Sequence, residues 1–325
     1  LISVHWTSLR PLGRALRRLL VTLPVLWVVV TVVFLLIHLV PGDPIVQMLG
    51  EGATSADISA LRHSYGFDRP LSVQYGNYLM GVAHADFGRS PRLRSTVGSL
   101  IAQRYPFTLA LALASLALGV VVAIPAGVWS ATHRDRWQDR LVGLLSLLGL
   151  SFPNFALGPI LILIFAVSLG LFPVSGSGSG WSFFSHLVLP AVTLGSGLAA
   201  VLTRMVRTAM LEELNQDYIR TARAKGIGER AVVYRHALGN ALIPILTVVG
   251  LQFGSLLAGA IVTETIFSLP GIGRLTLSAI SNRDYALVQG CILAIGLTYV
   301  VVNLLTDIAY TLANPRLRQG GGEGA

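Results

Sequence analysis

The chain is predicted to be an all-α polytopic membrane protein with six transmembrane helices, and three observations predict it. Of its 325 residues, 53% are hydrophobic and only 12% charged, with a mean hydropathy of +0.69, whereas an ordinary soluble domain carries about 25% charged residues. The apolar residues collect in long runs of the length a bilayer requires. The 24 Lys and Arg, set against 15 Asp and Glu, lie in short stretches between those runs rather than along one soluble face. That punctuation belongs to cytoplasmic loops and not to a nucleic-acid binder.

Leu19 to Val40 gives 22 residues without a charge, about 33 Å as a helix and enough to cross a hydrocarbon core of ~30 Å. It is too long for a cleavable signal, and no small-residue cleavage site follows it. Arg10, Arg14, Arg17 and Arg18 precede it, which places its N-terminal end in the cytoplasm. From Pro41 to Arg104 the chain turns polar, with turn signals at Pro41-Gly42-Asp43-Pro44 and Asp68-Arg69-Pro70. Residues 41–104 are therefore expected to form a small external domain, following residues 1–40 as N-terminal tail and first span. Phe107 to Ala131 is the second span and returns inward, and the Arg-rich loop His133 to Arg140 is cytoplasmic.

Leu141 to Leu171 has 31 residues, ~46 Å if straight, more than one crossing needs. Pro153 interrupts it, but two crossings would require helices too short for the ~20 residues usual in a span. One crossing with a kink or short unwound stretch at Pro153 is expected. Leu187 to Thr203, Ala241 to Phe267 and Leu287 to Leu312 supply the fourth, fifth and sixth spans. Pro270 to Ala286 is a short outer connection, and Ser175 to Gly180 a flexible Gly/Ser turn. With both termini inside, sixteen of the 24 basic residues fall on the inner side, and the two sides net about +8 and +1.

Several chemistries are not supported by the sequence. A lone cysteine, Cys291, gives no disulfide framework and no paired-cysteine metal spacing, and no two of the seven His have the i, i+3 or i+4 spacing of a helical metal site. There is no Gly-x4-Gly-Lys-Ser/Thr loop and no Gly-x-Ser-x-Gly elbow, so the chain is expected to be neither an ATPase nor a hydrolase. Two acids approach the spans. Asp307, near the inner end of the sixth, reads as interfacial capping and charge pairing. Glu264, near the outer end of the fifth, has two readings: a functional acid at membrane depth, or an anchor in the wet interface, because it lies ~35 Å along a helix from Ala241.

The most informative stretch is cytoplasmic, residues 211–240. Asp217 to Gly226 reads as a helix stopped by Gly226, with Arg223 and Lys225 suited to its C-terminal dipole. Gly228 loosens the turn, and Glu229 to Leu238 resumes a helix with Val232, Val233, Ala237 and Leu238 on one side. Here the chain resembles the coupling motif of ATP-binding-cassette import permeases: Glu-Ala-Ala, three residues, Gly, nine residues, then Ile-x-Leu-Pro. Arg220, Thr221 and Ala222 stand at the leading positions, and His236, Ala237, Leu238 and Gly239 at the last four. The chain departs from the general motif at its Glu, Ile and Pro, and Arg220-Thr221-Ala222-Arg223-Ala224-Lys225-Gly226 is similar to the peptide-importer branch.

Further segments resemble dipeptide, oligopeptide, nickel and glutathione permeases: Pro41-Gly42-Asp43-Pro44, Tyr65 to Pro70 with Gln74-Tyr75, and Asp86-Phe87-Gly88-Arg89-Ser90. Glu264 to Arg274, Arg283-Asp284-Tyr285 and Gln289-Gly290 are similar too, and Asn314-Pro315-Arg316 stands where many members read Asp-Pro-Arg. The resemblance implies the type I importer permease fold in a bacterial inner membrane, with residues 105–325 as permease core. It implies a pathway for short peptides shared with a second homologous permease. It also implies two ATPase subunits that hold ATP and Mg, an extracytoplasmic binding protein, and no cofactor or metal in this chain. The coupling residues would be Arg220 to Gly226, His236 and Leu238. Contacts with the binding protein or gate would come from Asp86 to Ser90, Glu264, Pro270, Gly271, Gly273 and Arg274. The same architecture would also suit chelated nickel, glutathione or haem. The rival from another class is an ion-driven secondary transporter, which needs buried ionisable groups near the midplane.

Overall fold

The computed structural model describes residues 10–39, 42–49 and 54–313, excepting the side chains of 10–21, 44, 47, 48, 243 and 307–313. Pro41, the Asp307 side chain and Asn314-Pro315-Arg316 lie outside the described residues. The chain divides into two compact units, one formed by residues up to Tyr105 together with Leu275–Leu304, the other by Pro106–Arg274 together with residues from Leu305 onward.

The first unit opens with α1 (Arg10–Leu39), followed by α2 (Pro44–Leu49), α3 (Ser55–Tyr65) and α4 (Leu71–Ala83). Thr54 caps α3, its hydroxyl taking the Asp57 amide while Asp57 returns a bond to the Thr54 amide, and Gly66 ends the helix at φ 69°. A two-residue antiparallel ribbon, β1 (Arg89–Ser90) against β2 (Ser95–Thr96), leads into α5 (Val97–Thr132). The second span thus begins ten residues before Phe107, because Val97 to Arg104 contains no proline, Gly98 falls in the first turn, and a membrane helix tolerates Pro106 once neighbours satisfy the freed carbonyl. The polar segment does not stand alone. Val30 and Val33 of α1 pack with Tyr78, Val82, Phe87 and Leu293, and His38 bonds Gln74 at 3.1 Å.

In the second unit, the remainder of α5 is joined by α6 (Trp137–Ser151), α7 (Asn154–Leu161) running on as π-helix to Ser168, and α8 (Ser182–Leu214). Next come α9 (Asp217–Ala224), α10 (Glu229–Ala231) with a π-turn over Val232–Ala237, and α11 (Leu238–Ile266). Of the last helices, α12 (Ile272–Ser281) passes into the first unit, and α13 (Tyr285–Ala313) belongs to it up to Leu304. The spine is α8, and small residues let its neighbours close on it. A Cβ on Gly195 would sit 2.8 Å from the Ser115 carbonyl oxygen, and one on Gly127 would sit 2.6 Å from Val206. Close helix approach of this kind replaces the hydrophobic drive that lipid cannot supply.

Five described helices are long and apolar enough to cross a membrane, and α6 with α7 and its π-extension makes the sixth when taken as one broken segment. The expected kink at Pro153 is in fact a bend of 103°. Proline cannot donate to the preceding turn and forces Phe152 out of the helical region, to φ −86°, ψ 113°. Each arm alone is shorter than the ~20 residues of a crossing.

Candidate functional site

At the end of α8 the chain folds into a corner. Asn215 and Gln216 break the helix, and α9 follows with Ile219 and Ala222 buried and Arg220, Thr221, Arg223 and Ala224 exposed. Gly226 takes φ +75° with open space where a Cβ would lie. Its amide donates to the Arg223 carbonyl at 2.9 Å, and the Ile227 amide donates to the Ala222 carbonyl at 3.2 Å, the two bonds of a Schellman stop. Lys225 is the C-cap residue, exposed beside the negative helix end. Arg223 reaches across the turn and grips Glu229 with Nε at 3.0 Å and its terminal nitrogen at 2.7 Å. Each holds the other charged: hydrogen bonding to Arg223 lowers the Glu229 carboxyl below its usual range and raises the guanidinium.

Beneath the corner lies a continuous apolar core. Ile219 and Ala222 meet Val232, Val233, Ala237 and Ala241, and all pack on Val128, Ala131, Val206 and Met210, with Leu238 half-buried at the edge. His236 is half-buried on the π-turn. From Glu229 to Ile266 the backbone is helical without interruption, so the second arm of the corner is the start of the fifth span. Two polar ties escaped sequence reading. The Tyr218 hydroxyl donates to Glu213 and accepts from Asn240 at 2.9 Å, joining the ends of α8 and α11. Asp139 accepts two bonds from Arg207, both 2.7 Å, with Ser130 at 2.5 Å and the Asp135 amide at 3.0 Å, tying α6 to α5 and α8.

At the far end of α11, ~39 Å of helix from Leu238, Glu264 is fully buried. Of its two readings, burial goes against contact with water, while the loop-anchoring part agrees with the geometry: the carboxylate accepts the Thr108 hydroxyl at 2.5 Å and the Arg274 amide at 2.9 Å. Thr108 in turn accepts the Ile272 amide at 2.8 Å. The turn wraps the acid so closely that a Cβ on Gly271 would overlap the carboxylate, and one on Gly273 would sit 2.6 Å from Ile261 Cα. Of the residues expected at this exit, Glu264, Gly271 and Gly273 are buried and Pro270 half-buried. Arg274 is exposed, its guanidinium donating to the Ser268 carbonyl at 2.9 Å.

In the first unit, Asp86 accepts the Gly88 amide at 3.0 Å, and Gly88 turns at φ +79°. Phe87 packs inward and Arg89 is exposed on the ribbon. Ser90 is buried and donates to Asp284, whose other oxygen accepts the Leu287 amide at 3.2 Å. Asp284 thereby caps α13 while holding the ribbon, a role its place just before an apolar run could have signalled.

Apolar spanning helices around a small-residue spine, with a capped helical corner rooted in the fifth of them, define a transport permease. Residues 123–319 match the family described as "Binding-protein-dependent transport system inner membrane component", and residues 12–112 match its N-terminal counterpart, "Binding-prot-dependent transport system membrane comp, N-term". The chain is 42% identical over 307 residues to the glutathione transport system permease protein GsiC of Salmonella typhimurium strain LT2, covering 94% of this chain and 99% of that protein. Its likeness to GsiC of Escherichia coli strain K12 is 41% over the same shares. Among solved structures, the inward-facing MetNI methionine ABC transporter in its native crystal form aligns with a TM-score of 0.54 at 19% identity, over 66% of this chain and 96% of that one. The shared fold is the type I importer permease. The chain belongs to the family of inner-membrane components of binding-protein-dependent transport systems. It is a multi-pass permease subunit of an ATP-binding-cassette importer rather than a catalytic enzyme, and the family operates with an ATPase and a substrate-binding protein.

Proposed function

We propose that the chain forms half of a pathway for short peptides, with a second homologous permease as the other half and both termini cytoplasmic. Glutathione, itself a short peptide, is the first cargo to try, because the relatives named above carry it in their names. Two ATPase subunits, binding ATP and Mg, dock on the corner Arg220 to Leu238. An extracytoplasmic binding protein meets the exposed parts of Asp86 to Ser90 and of the turn ending at Arg274.

The observation that carries this reading is the unbroken helix from Glu229 to Ile266. A push on α9 passes through the Gly226 turn and the apolar core beneath it into the fifth span, so closure of the motor becomes rearrangement of the spans. The corner is short, capped and packed, and moves as one piece. Ala224, exposed at the end of α9, is the place to test it. A photo-reactive group there should cross-link to an ATPase subunit in the assembled complex. Cross-linking only to lipid or to this chain would remove the docking assignment.

A further inference from the structure

Within the first unit, a cavity of about 300 Å³ opens between α1, α4, the turn at Asp86–Arg89 and the start of α13. Segments far apart in sequence converge on it, among them Tyr65-Gly66-Phe67, Asp86 to Arg89 and Gln289-Gly290. The Gly226 corner uses none of these, and of them only Asp86 to Arg89 is also placed above against the binding protein. Its walls are aromatic, with Phe34, Phe67 and Phe87 on different elements. Polar side chains stand among them, and some are already engaged, His38 with Gln74 at 3.1 Å and Gln289 with the Val33 carbonyl at 3.1 Å, while others are left to orient a ligand against the apolar walls, as in a small-molecule site.

Three of those polar groups have capacity to spare. Asp86 gives one oxygen to the Gly88 amide, and neither it nor Arg89 has an ion-pair partner among the described residues. Tyr78 lines the cavity with a buried hydroxyl that meets no acceptor among the described residues. Burial pushes that phenol up to about 12, so it stays a donor at any physiological pH. An unpaired carboxylate and an unpaired guanidinium three residues apart, over an aromatic chamber, match a ligand with both charges and an apolar body.

We propose that this cavity binds a small zwitterion with an apolar or aromatic side chain, a free amino acid or dipeptide, its ammonium on Asp86, its carboxylate on Arg89 and its side chain among Phe34, Phe67 and Phe87. The ligand class comes from the paired charges and the aromatic walls. That such a ligand is cargo rests on the importer reading above.

The test is equilibrium binding of radiolabelled phenylalanine and Ala-Phe to the full permease complex in nanodiscs, without ATP or binding protein. Saturable binding near one site per chain is expected, weakened at least tenfold by Asp86→Asn, which keeps an acceptor for the Gly88 amide, and by Arg89→Gln. N-acetyl-phenylalaninamide, which carries neither charge, should bind at least tenfold more weakly. Ala286→Phe, which fills the chamber without touching its charges, should abolish binding. No saturable binding by the wild-type complex, or binding indifferent to all three variants, overturns the proposal. Equal binding of the uncharged analogue overturns its zwitterion chemistry. ATP-driven peptide uptake by the complete system is read separately: uptake without cavity binding indicts the cavity alone, and cavity binding without uptake indicts the cargo reading.

Discussion

Single side chains carry more of this molecule than their number implies. Asp139 is nearly buried, and Arg207 supplies two of its four hydrogen bonds while 33% of the Arg207 side chain remains exposed. Arg207→Ala leaves a carboxylate short of its counter-charge and should destabilise the protein by about 2 kcal/mol, below the roughly 3–5 of a fully buried pair because solvent reaches the site. A thermal shift of the purified permease reads it, and an unchanged melting temperature would contradict the geometry. At the other end of α11, Gly271→Ala drives a methyl into the Glu264 carboxylate. Overpacking of this kind costs about 1–3 kcal/mol, and the same scan should show it. These ties were hidden from sequence reading for a plain reason: Asp139 and Arg207 are 68 residues apart, and Thr108 and Glu264 are 156 apart. No periodic pattern links such positions. Glu264 itself was visible as an odd acid at the end of an apolar run, whereas the amides that enclose it were not.

Among the elements, the coupling corner was the most legible. Gly226 between two amphipathic stretches announces a left-handed stop, and the structure places it there at φ +75°. The π-turn after Ala231 and the fusion of α10 with α11 were not legible, because helical continuity depends on the core beneath rather than on local propensity. The Arg223–Glu229 pair spans the turn with both members substantially exposed, so its contribution is small and screened by salt. Its pH dependence has a definite sign. The Glu229 pKa is lowered in the folded state, so the pair's contribution is complete above the ordinary carboxylate range and is lost as pH falls through the lowered value. Amide exchange at Ile227 and Glu229 should therefore speed up on acidification below about pH 4, after correction for intrinsic rates. Arg223→Gln should abolish that acid step, and a step that survives the substitution would assign it elsewhere. Pro153 was read correctly as a break, but the angle was not. A proline fixes where a helix stops, while the direction of the next arm is decided by what α7 packs against.

For the whole molecule, the spans were legible because hydrocarbon demands long apolar helices. The packing of the polar segment on α1 and α13 was not, because it depends on contacts such as His38 with Gln74. The buried carboxylates also bear on the energy source. Glu264, Asp139 and Asp284 are each held by donors from other elements or from the next turn, so each of these buried acids has a structural role that needs no proton cycle to explain it. The chain alone in liposomes should accumulate no peptide under a proton or sodium gradient, and gradient-driven uptake would restore the secondary-transporter reading. The central claim is that motor closure reaches the spans through the Gly226 corner. It is tested most directly by peptide uptake per ATP hydrolysed in proteoliposomes holding both permeases, the ATPases and the binding protein, wild type against Gly226→Val. A β-branched residue at positive φ strains the turn by roughly 1–2 kcal/mol or more. Hydrolysis should persist while uptake per ATP falls at least tenfold, in a variant that inserts and assembles normally. Unchanged uptake per ATP in that variant would contradict the claim.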